Sequence, residues 1–486
     1  MKSPIAVRSS SLLEDSHYQP FAGIYSTYMI PYLEDKYEML RMLACAIKGV
    51  YASVYYRDSK AYMIATQNVI DQEKMAVILQ EVVGQQHGDS YYPTFSGVLR
   101  SLNYYPIGDE TAEEGIASLA LGLGKYIVDG GQTLRVSPYH PTQVLQTSEM
   151  ETALRDTQTR FYALDMSAPP SNSPHAWGEN QKGEVDDGFN IKKLRVKQAD
   201  QDGALTYIAS TFDPVDQVIR DGIYEGGRKV ITFCGVLQQG IFPLPELLQM
   251  VQKYGSEEMR RPVEIELACN LNPPSSYPQN GESAKGATGE LYLLQIRPIV
   301  DSKQVLDVDL QQIPDEQCLL RSDNSLGHGI SEDVCDVVYV KAGEDFTAAN
   351  NPTIASHIEK INQKFLDEGK SYVLVGPGRW GSSDYWLGIP VKWPHISAAR
   401  VIVEAGLKNY HVDPSQGTHF FQNLTSFGVG YFTINTYTGD GIFQQSVLDQ
   451  MPAVDETDYV RHVRFEKPLK IMMDGKKQTG VVLLPE

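Results

Sequence analysis

Alternation of apolar and polar residues is sharpest in two stretches just past the middle of the chain. In Val263-Glu264-Ile265-Glu266-Leu267 a period of two places Val263, Ile265 and Leu267 on one face and both carboxylates on the other. In residues 290–298 the same period sets Gln295 beside Arg297, while Leu294 and Ile296 turn to the opposite face. Two strands are predicted, joined by a Pro-, Ser-, Asn- and Gly-rich excursion at 270–288 that is too long for a tight turn. At the start of the chain, Ile5-Ala6-Val7-Arg8-Ser9-Ser10-Ser11 predicts a strand entering a polar turn. Residues 35–55 carry Leu40, Leu43, Ala44, Ile47, Tyr51 and Val54 at helical spacing, which predicts an amphipathic helix packed on a sheet through them. The apolar run at 75–83 predicts a buried strand ending at Gly84. Residues 229–233 and 372–375 predict further strands, and 244–254, 354–368 and 398–408 predict helices.

The polar faces of the first two strands hold two carboxylates, an amide and a guanidinium. Such a set holds a divalent cation through oxygen ligands and grips a polyphosphate by charge-assisted hydrogen bonds. A half-buried hairpin with a solvated, charge-paired face is the plain alternative. Arg8, flanked by hydroxyls and followed by the loop containing Gly23, is a second candidate phosphate clamp. Gly122-Leu123-Gly124-Lys125 puts a basic residue after Gly-x-Gly, which could cradle phosphate, but it does not complete a Walker loop and taken alone reads as a turn between packed elements.

Composition narrows the partners. A chain of 486 residues has room for roughly two to four domains. With 61 acidic against 42 basic residues the net charge is -19, which argues against nucleic acid and against anionic membrane. An anionic ligand must then be held by local Arg, metal and backbone N–H groups. Cys45, Cys234, Cys269, Cys318 and Cys335 are widely spaced with no C-x-x-C pair, which suits reduced thiols in a cytoplasm and offers no zinc site. No segment approaches the length of a membrane span, so a soluble cytoplasmic protein is expected.

Taken in order, Ala6-Val7-Arg8-Ser9-Ser10, Phe21-Ala22-Gly23, a strand with Gln80, Ser96-Gly97-Val98, Gly122-Leu123-Gly124, Glu264-Ile265-Glu266 and Leu294-Gln295-Ile296-Arg297-Pro298 carry a resemblance. The sequence resembles the nucleotide-binding domain of phosphoenolpyruvate synthase and pyruvate phosphate dikinase, an ATP-grasp fold, over about residues 4–300. The resemblance implies an α/β (α+β) protein. An ATP-grasp-like domain would span 1–300 with excursions at 165–190 and 270–288, a linker 301–317, and a smaller α/β C-terminal domain 318–486. Residue by residue it implies that Arg8 contacts the ATP phosphates, that Gln80, Glu81 and Val83 run along the adenine, and that Gln295 and Arg297 complete the phosphate site. Glu264 and Glu266 match the acidic pair beside Mg2+. Three departures stand out. Lys125 occupies a position where the family commonly has glutamate, and Glu-Ile-Glu replaces the more usual Asp-Ile-Glu. The glycine-rich lysine lobe that precedes the arginine motif in the family is not found after Met1, and an upstream domain or separate partner is expected to supply it.

After residue 300 the resemblance implies a swivelling domain whose histidine, in a Thr-x-His context, relays the phosphoryl group. Leu387-Gly388-Ile389-Pro390-Val391 echoes that domain, and Thr418-His419 is the nearest candidate, with a structural histidine as the alternative. The Gly376-Pro377-Gly378-Arg379-Trp380-Gly381 turn suits either an anion or base, or a core filled by Trp380, Trp386 and Trp393. The expected function is Mg2+-dependent phosphoryl transfer from ATP to a small-molecule acceptor or a phosphohistidine carrier, compatible with a homodimer. A non-catalytic sensory or scaffold module and a small-molecule kinase of the rifampicin phosphotransferase type are the alternatives.

Overall fold

Short antiparallel strands dominate the N-terminal part of the chain, and a mixed sheet with parallel strands dominates the rest. The computed structural model describes residues 3–14, 23–57, 59–60, 63, 73–103, 106–107, 109–167, 188, 190–272, 288–299, 309–327, 329–343, 346–408, 410, 429–474 and 477–485. Two compact units divide the chain. The first comprises Met1–Ser16, Gly23–Lys60 and Val69–Ile299, and the second Val300–Glu486 with His17–Ala22 and Ala61–Asn68.

In the first unit, β1 (Ile5–Ser11), β2 (Tyr28–Ile30), α1 (Lys36–Ser53) and β3 (Met75–Glu81) form a small layer, with strand order β2-β1-β3. Asp35 caps α1 by accepting from the backbone N–H groups of Tyr37 and Glu38, which sets its first turn. Ile5 and Val7 pack against Met42, Ala46 and Val50 of the helix. Ring atoms of Tyr28 stand 2.7 Å from where a Cβ on Gly49 would lie, so the close approach of sheet and helix requires glycine there. The helix is placed as its periodicity predicts, and of the expected face Leu43 and Ile47 pack against the core and Val54 is buried. Leu40 and Tyr51 are exposed, and the fully buried positions are Met42, Ala46, Gly49 and Val50. The buried face is therefore rotated from the expected one, and packing sets its centre. The strand at 75–83 also differs: β3 lies at a sheet edge with Ile78 and Leu79 about half exposed, so it is not a buried strand.

The main body follows with β4 (Gln85–His87), β5 (Ser90–Tyr92), β6 (Phe95–Arg100), β7 (Ile116–Ala120), β8 (Leu134–Val136), β9 (Arg160–Asp165) and β10 (Ile191–Arg195). Next come β11 (Ala209–Asp213), β12 (Val218–Asp221), β13 (Arg228–Ile231), α2 (Leu244–Met259), β14 (Val263–Asn272) and β15 (Thr288–Pro298). A five-stranded antiparallel sheet in the order β15-β14-β6-β7-β8 is the frame of the site. Its apolar face receives α2: Ile296, Ile265 and Val263 lie against Gly255, whose missing side chain lets the helix come close. The opposite face carries the polar residues of β14 and β15.

In the second unit β16 (Cys318–Ser322), β17 (Asn324–Leu326), β18 (Gly329–Val340), α3 (Asn351–Glu368), β19 (Tyr372–Pro377), β20 (Arg379–Trp380) and β21 (Gly388–Ile389) precede β22 (Ala399–Ala405). The unit ends with β23 (Gly430–Ile434), β24 (Ile442–Phe443), β25 (Ala453–Glu456), β26 (Val460–Asp474) and β27 (Thr479–Leu483). Ten strands make one mixed sheet, in which β18, β19, β22 and β23 run parallel. Residues 398–408 are therefore not a helix. Val401, Ile402 and Val403 are fully buried in β22, and a β-branched run between two parallel neighbours forms strand, overriding its helical spacing. The segment expected as a linker is in part structural: Leu310 is buried with Cys318, Met472 and Val481. Of the three tryptophans that one of the two readings of the 376–383 turn places in a core, Trp380 and Trp393 are buried and Trp386 is exposed.

Candidate functional site

The site begins with strand register. Across β14 and β15, Glu264 faces Arg297 and Glu266 faces Gln295, so the two polar pairs legible in the sequence are direct cross-strand neighbours. On the other side of β14, Arg100 of β6 faces Glu264 and Val98 faces Glu266. One row across three strands thus reads Arg100, Glu264, Arg297, and the next reads Val98, Glu266, Gln295.

A bulge follows the second row. Glu266 pairs with Gln295 but Leu267 pairs with Leu293, which leaves Leu294 without a cross-strand partner. The Leu294 carbonyl instead accepts from Gln80 Nε2 at 3.2 Å. Gln80 is thereby tied to the hairpin, and its Oε1 accepts from Arg8 Nη1 at 3.1 Å.

Arg8 reaches the hairpin from β1. Its Nη2 donates to Gln295 Oε1 at 2.5 Å and to Glu266 Oε2 at 3.2 Å. Arg297 Nη2 donates to Glu266 Oε1 at 3.0 Å and to Gln295 Oε1 at 2.9 Å. Two guanidinium groups therefore converge on one carboxylate and one amide oxygen, in a cradle whose side chains retain partial exposure, 20% for Arg8 and 17% for Glu266. Glu264 lies deeper, 3% exposed, and its Oε2 accepts from Arg100 Nε at 2.6 Å.

Arg8, Gln80, Glu266, Gln295 and Arg297 are joined directly by hydrogen bonds. Glu81 is exposed at the end of β3 and Val83, two residues beyond it, is half-buried, and neither has a hydrogen bond to the cradle among the described residues. Between them Val82 N donates to the Pro4 carbonyl, while its own carbonyl accepts from Tyr91 Oη at 3.1 Å. Burial first, and the Glu81 charge second, hold the Tyr91 hydroxyl above the usual phenol range, so it stays a neutral donor. Lys125, after the Gly-x-Gly turn, stands 3.6 Å from Asp129. His419 lies outside the described residues. Arg100 is the site residue that sequence reading missed; the available signal was a lone arginine in the strand Phe95-Ser96-Gly97-Val98-Leu99-Arg100, every residue of which is buried.

Chemically, the cradle suits an anion with several oxygens. Arg8, Arg100 and Arg297 set three guanidinium charges against the two carboxylates Glu264 and Glu266. Among the described residues no group of three or more His, Cys, Asp and Glu side chains is placed to hold a metal ion. Mg2+ needs only one or two protein oxygens when phosphates and water complete its shell. Glu266 and Gln295 present adjacent oxygens of that kind, and a cation arriving with phosphates would not upset the charge balance. In the second unit, a cavity of about 130 Å³ at the carboxyl ends of the parallel strands is lined by Val340, Val375, Pro377, Ala405, Leu407 and Phe443 among others, with no charged side chain among its lining residues.

Fold and site define a nucleotide-binding module of mixed α/β type, ATP-grasp-like, followed by a C-terminal domain. The chain belongs to the pyruvate phosphate dikinase, AMP/ATP-binding domain family, whose match covers residues 1–317. Among curated proteins, none matches the chain. Among the described residues no helix is long and apolar enough to cross a membrane.

Proposed function

We propose that the chain uses its AMP/ATP-binding domain for Mg2+-dependent phosphoryl transfer from ATP. The observation that carries this reading is the convergence of Arg8 and Arg297 on Glu266 and Gln295. Phosphoryl transfer asks a protein chiefly to position the phosphates and to neutralise charge on the transferring oxygens. Arg8 and Arg297 would bind the phosphates by exchanging part of their internal pairing for phosphate oxygens, and Gln80 would orient Arg8. The segment from Gln80 to Val83 would border the adenine. Mg2+, which the resemblance assigns to Glu264 and Glu266, is better served by Glu266 with Gln295, since Arg100 occupies the deeper Glu264. The ion would supply further charge neutralisation on the phosphate oxygens. The acceptor would be a small molecule or a phosphohistidine carrier, and His419 of the C-terminal domain is the candidate carrier residue.

Calorimetric titration of the chain with ATP, with and without Mg2+, tests this reading. Binding of ATP, strengthened by Mg2+, is expected, with little response to Mg2+ alone; no ATP binding under either condition refutes it. Mass spectrometry after incubation with labelled ATP tests His419, and label elsewhere or nowhere removes its role. A second reading, a non-catalytic nucleotide sensor, draws support from Lys125, whose charge is matched by Asp129 within its own helical turn. Saturable ATP binding without any ATP consumption in the presence of acceptor candidates would favour it.

A further inference from the structure

One contact in the cradle runs against proximity. Residues directly opposite in an antiparallel pair have Cβ atoms about 5 Å apart, whereas diagonal neighbours are about 7 Å apart. Arg297 lies directly opposite Glu264, yet it donates to the diagonal carboxylate Glu266. Glu264 Oε2 is taken by Arg100, and Glu264 Oε1 has no hydrogen-bond partner among the described residues. The nearer carboxylate therefore has an open acceptor and still does not capture Arg297. Glu266 is met by Arg8 and is the more exposed of the two acids, whereas Glu264 is met by Arg100, a guanidinium about as deeply buried as Glu264 and bonded to it at 2.6 Å.

We propose that Arg100 is a positioning residue: by neutralising Glu264 it keeps Arg297 turned towards Glu266 and Gln295, where a phosphate is met, and not folded back onto Glu264. A buried carboxylate deprived of its only cation seeks another, because leaving it uncompensated in a poorly solvated place is costly. Arg297 is the cation one strand away. Loss of Arg100 would draw Arg297 inward, out of the phosphate cradle, without touching any residue that contacts the ligand. Loss of Glu264 together with Arg100 removes the competitor, and Arg297 keeps its place. This inference rests on the reading that the cradle binds nucleotide phosphates.

The test is a cycle on the full chain with Arg100→Met, Glu264→Met and the double variant, apolar residues replacing a buried pair without leaving a charge. Affinity for ATP and for adenosine is measured by calorimetry, with Mg2+ and with chelator, on protein whose folded fraction is set by circular dichroism. Arg100→Met is expected to weaken ATP binding by about tenfold or more while adenosine binding is unchanged, the selectivity expected when one charged phosphate contact is lost. The double variant is expected to return to within about threefold of the original affinity. Arg100→Met binding ATP as tightly as the original chain overturns the proposal. So does a double variant that stays as weak as Arg100→Met, or an equal loss for ATP and adenosine, which marks general distortion. Should Arg100→Met fail to fold, the double variant decides alone: near-original ATP affinity supports the proposal and a tenfold loss overturns it. Absence of ATP binding by the original chain is a separate result, and refutes the nucleotide reading itself.

Discussion

At the scale of single residues, the site depends on where charge is balanced. Arg8 serves Gln80, Glu266 and Gln295 at once, so it links two sheets. Arg8→Ala is expected to weaken ATP binding by about 1.5–3 kcal/mol, and Arg8→Lys to recover only part of it, since an ammonium cannot keep the forked geometry; calorimetry reads both. Asp336 in the second unit shows the same logic applied to stability. Burial alone would raise its carboxyl, but hydrogen bonds from His462 and Arg464 outweigh burial and hold it below the usual carboxylate range. A carboxyl lowered by folding contributes stability above its unfolded value, and that contribution is lost as pH falls through the folded value. Melting of the second unit is therefore expected to fall as pH drops below the ordinary carboxylate value of about 4, and Asp336→Asn is expected to flatten that acid limb while lowering stability at neutral pH. Equal acid slopes for the two proteins would contradict it.

At the scale of elements, β14 has two different faces. Val263, Ile265 and Leu267 belong to the main core of the first unit, and Glu264 and Glu266 lie on the opposite face, across from Arg297 and Gln295. Ile265 is fully buried and lies under Gly255 of α2. Ile265→Ala is expected to cost about 2–5 kcal/mol of stability, measured by denaturant unfolding, and to leave the affinity of the folded protein for ATP nearly unchanged. A parallel loss of affinity would show that packing on the apolar face sets the cradle geometry. The bulge at Leu294 works at this scale too, because one extra residue frees the carbonyl that holds Gln80.

At the scale of the whole molecule, a net charge of -19 surrounds the cradle proposed to bind ATP phosphates. Charge is felt within the Debye length, about 30 Å at 0.01 M salt and about 8 Å at 0.15 M, so the net negative charge repels approaching ATP at low salt and is largely screened at 0.15 M. The association rate for ATP is therefore expected to rise when ionic strength is raised between those limits, as read by stopped-flow fluorescence. A falling rate would mean that the arginines of the cradle govern long-range steering. The division into two units also separates chemistry: the first holds the charged cradle, and the second holds an uncharged cavity at the ends of parallel strands.

The sequence by itself determined the two faces of the hairpin, because the pleat forces successive side chains to opposite sides and the period is visible in five residues. It also carried the order of motifs that marks the family, and the presence of α1, α2 and α3, whose periodicity extends over several turns. Tertiary structure alone decided what that order leaves open. Which residues of α1 sit at the centre of its buried face follows from the sheet beneath it, not from the helix. The helical spacing of 398–408 gave way to a strand because two parallel neighbours were waiting for it. Arg8 meets Glu266 across 258 positions, and Arg100 meets Glu264 across 164. Local backbone geometry repeats over a few residues and can be read from them, whereas a charge is placed by the topology that brings distant strands into register.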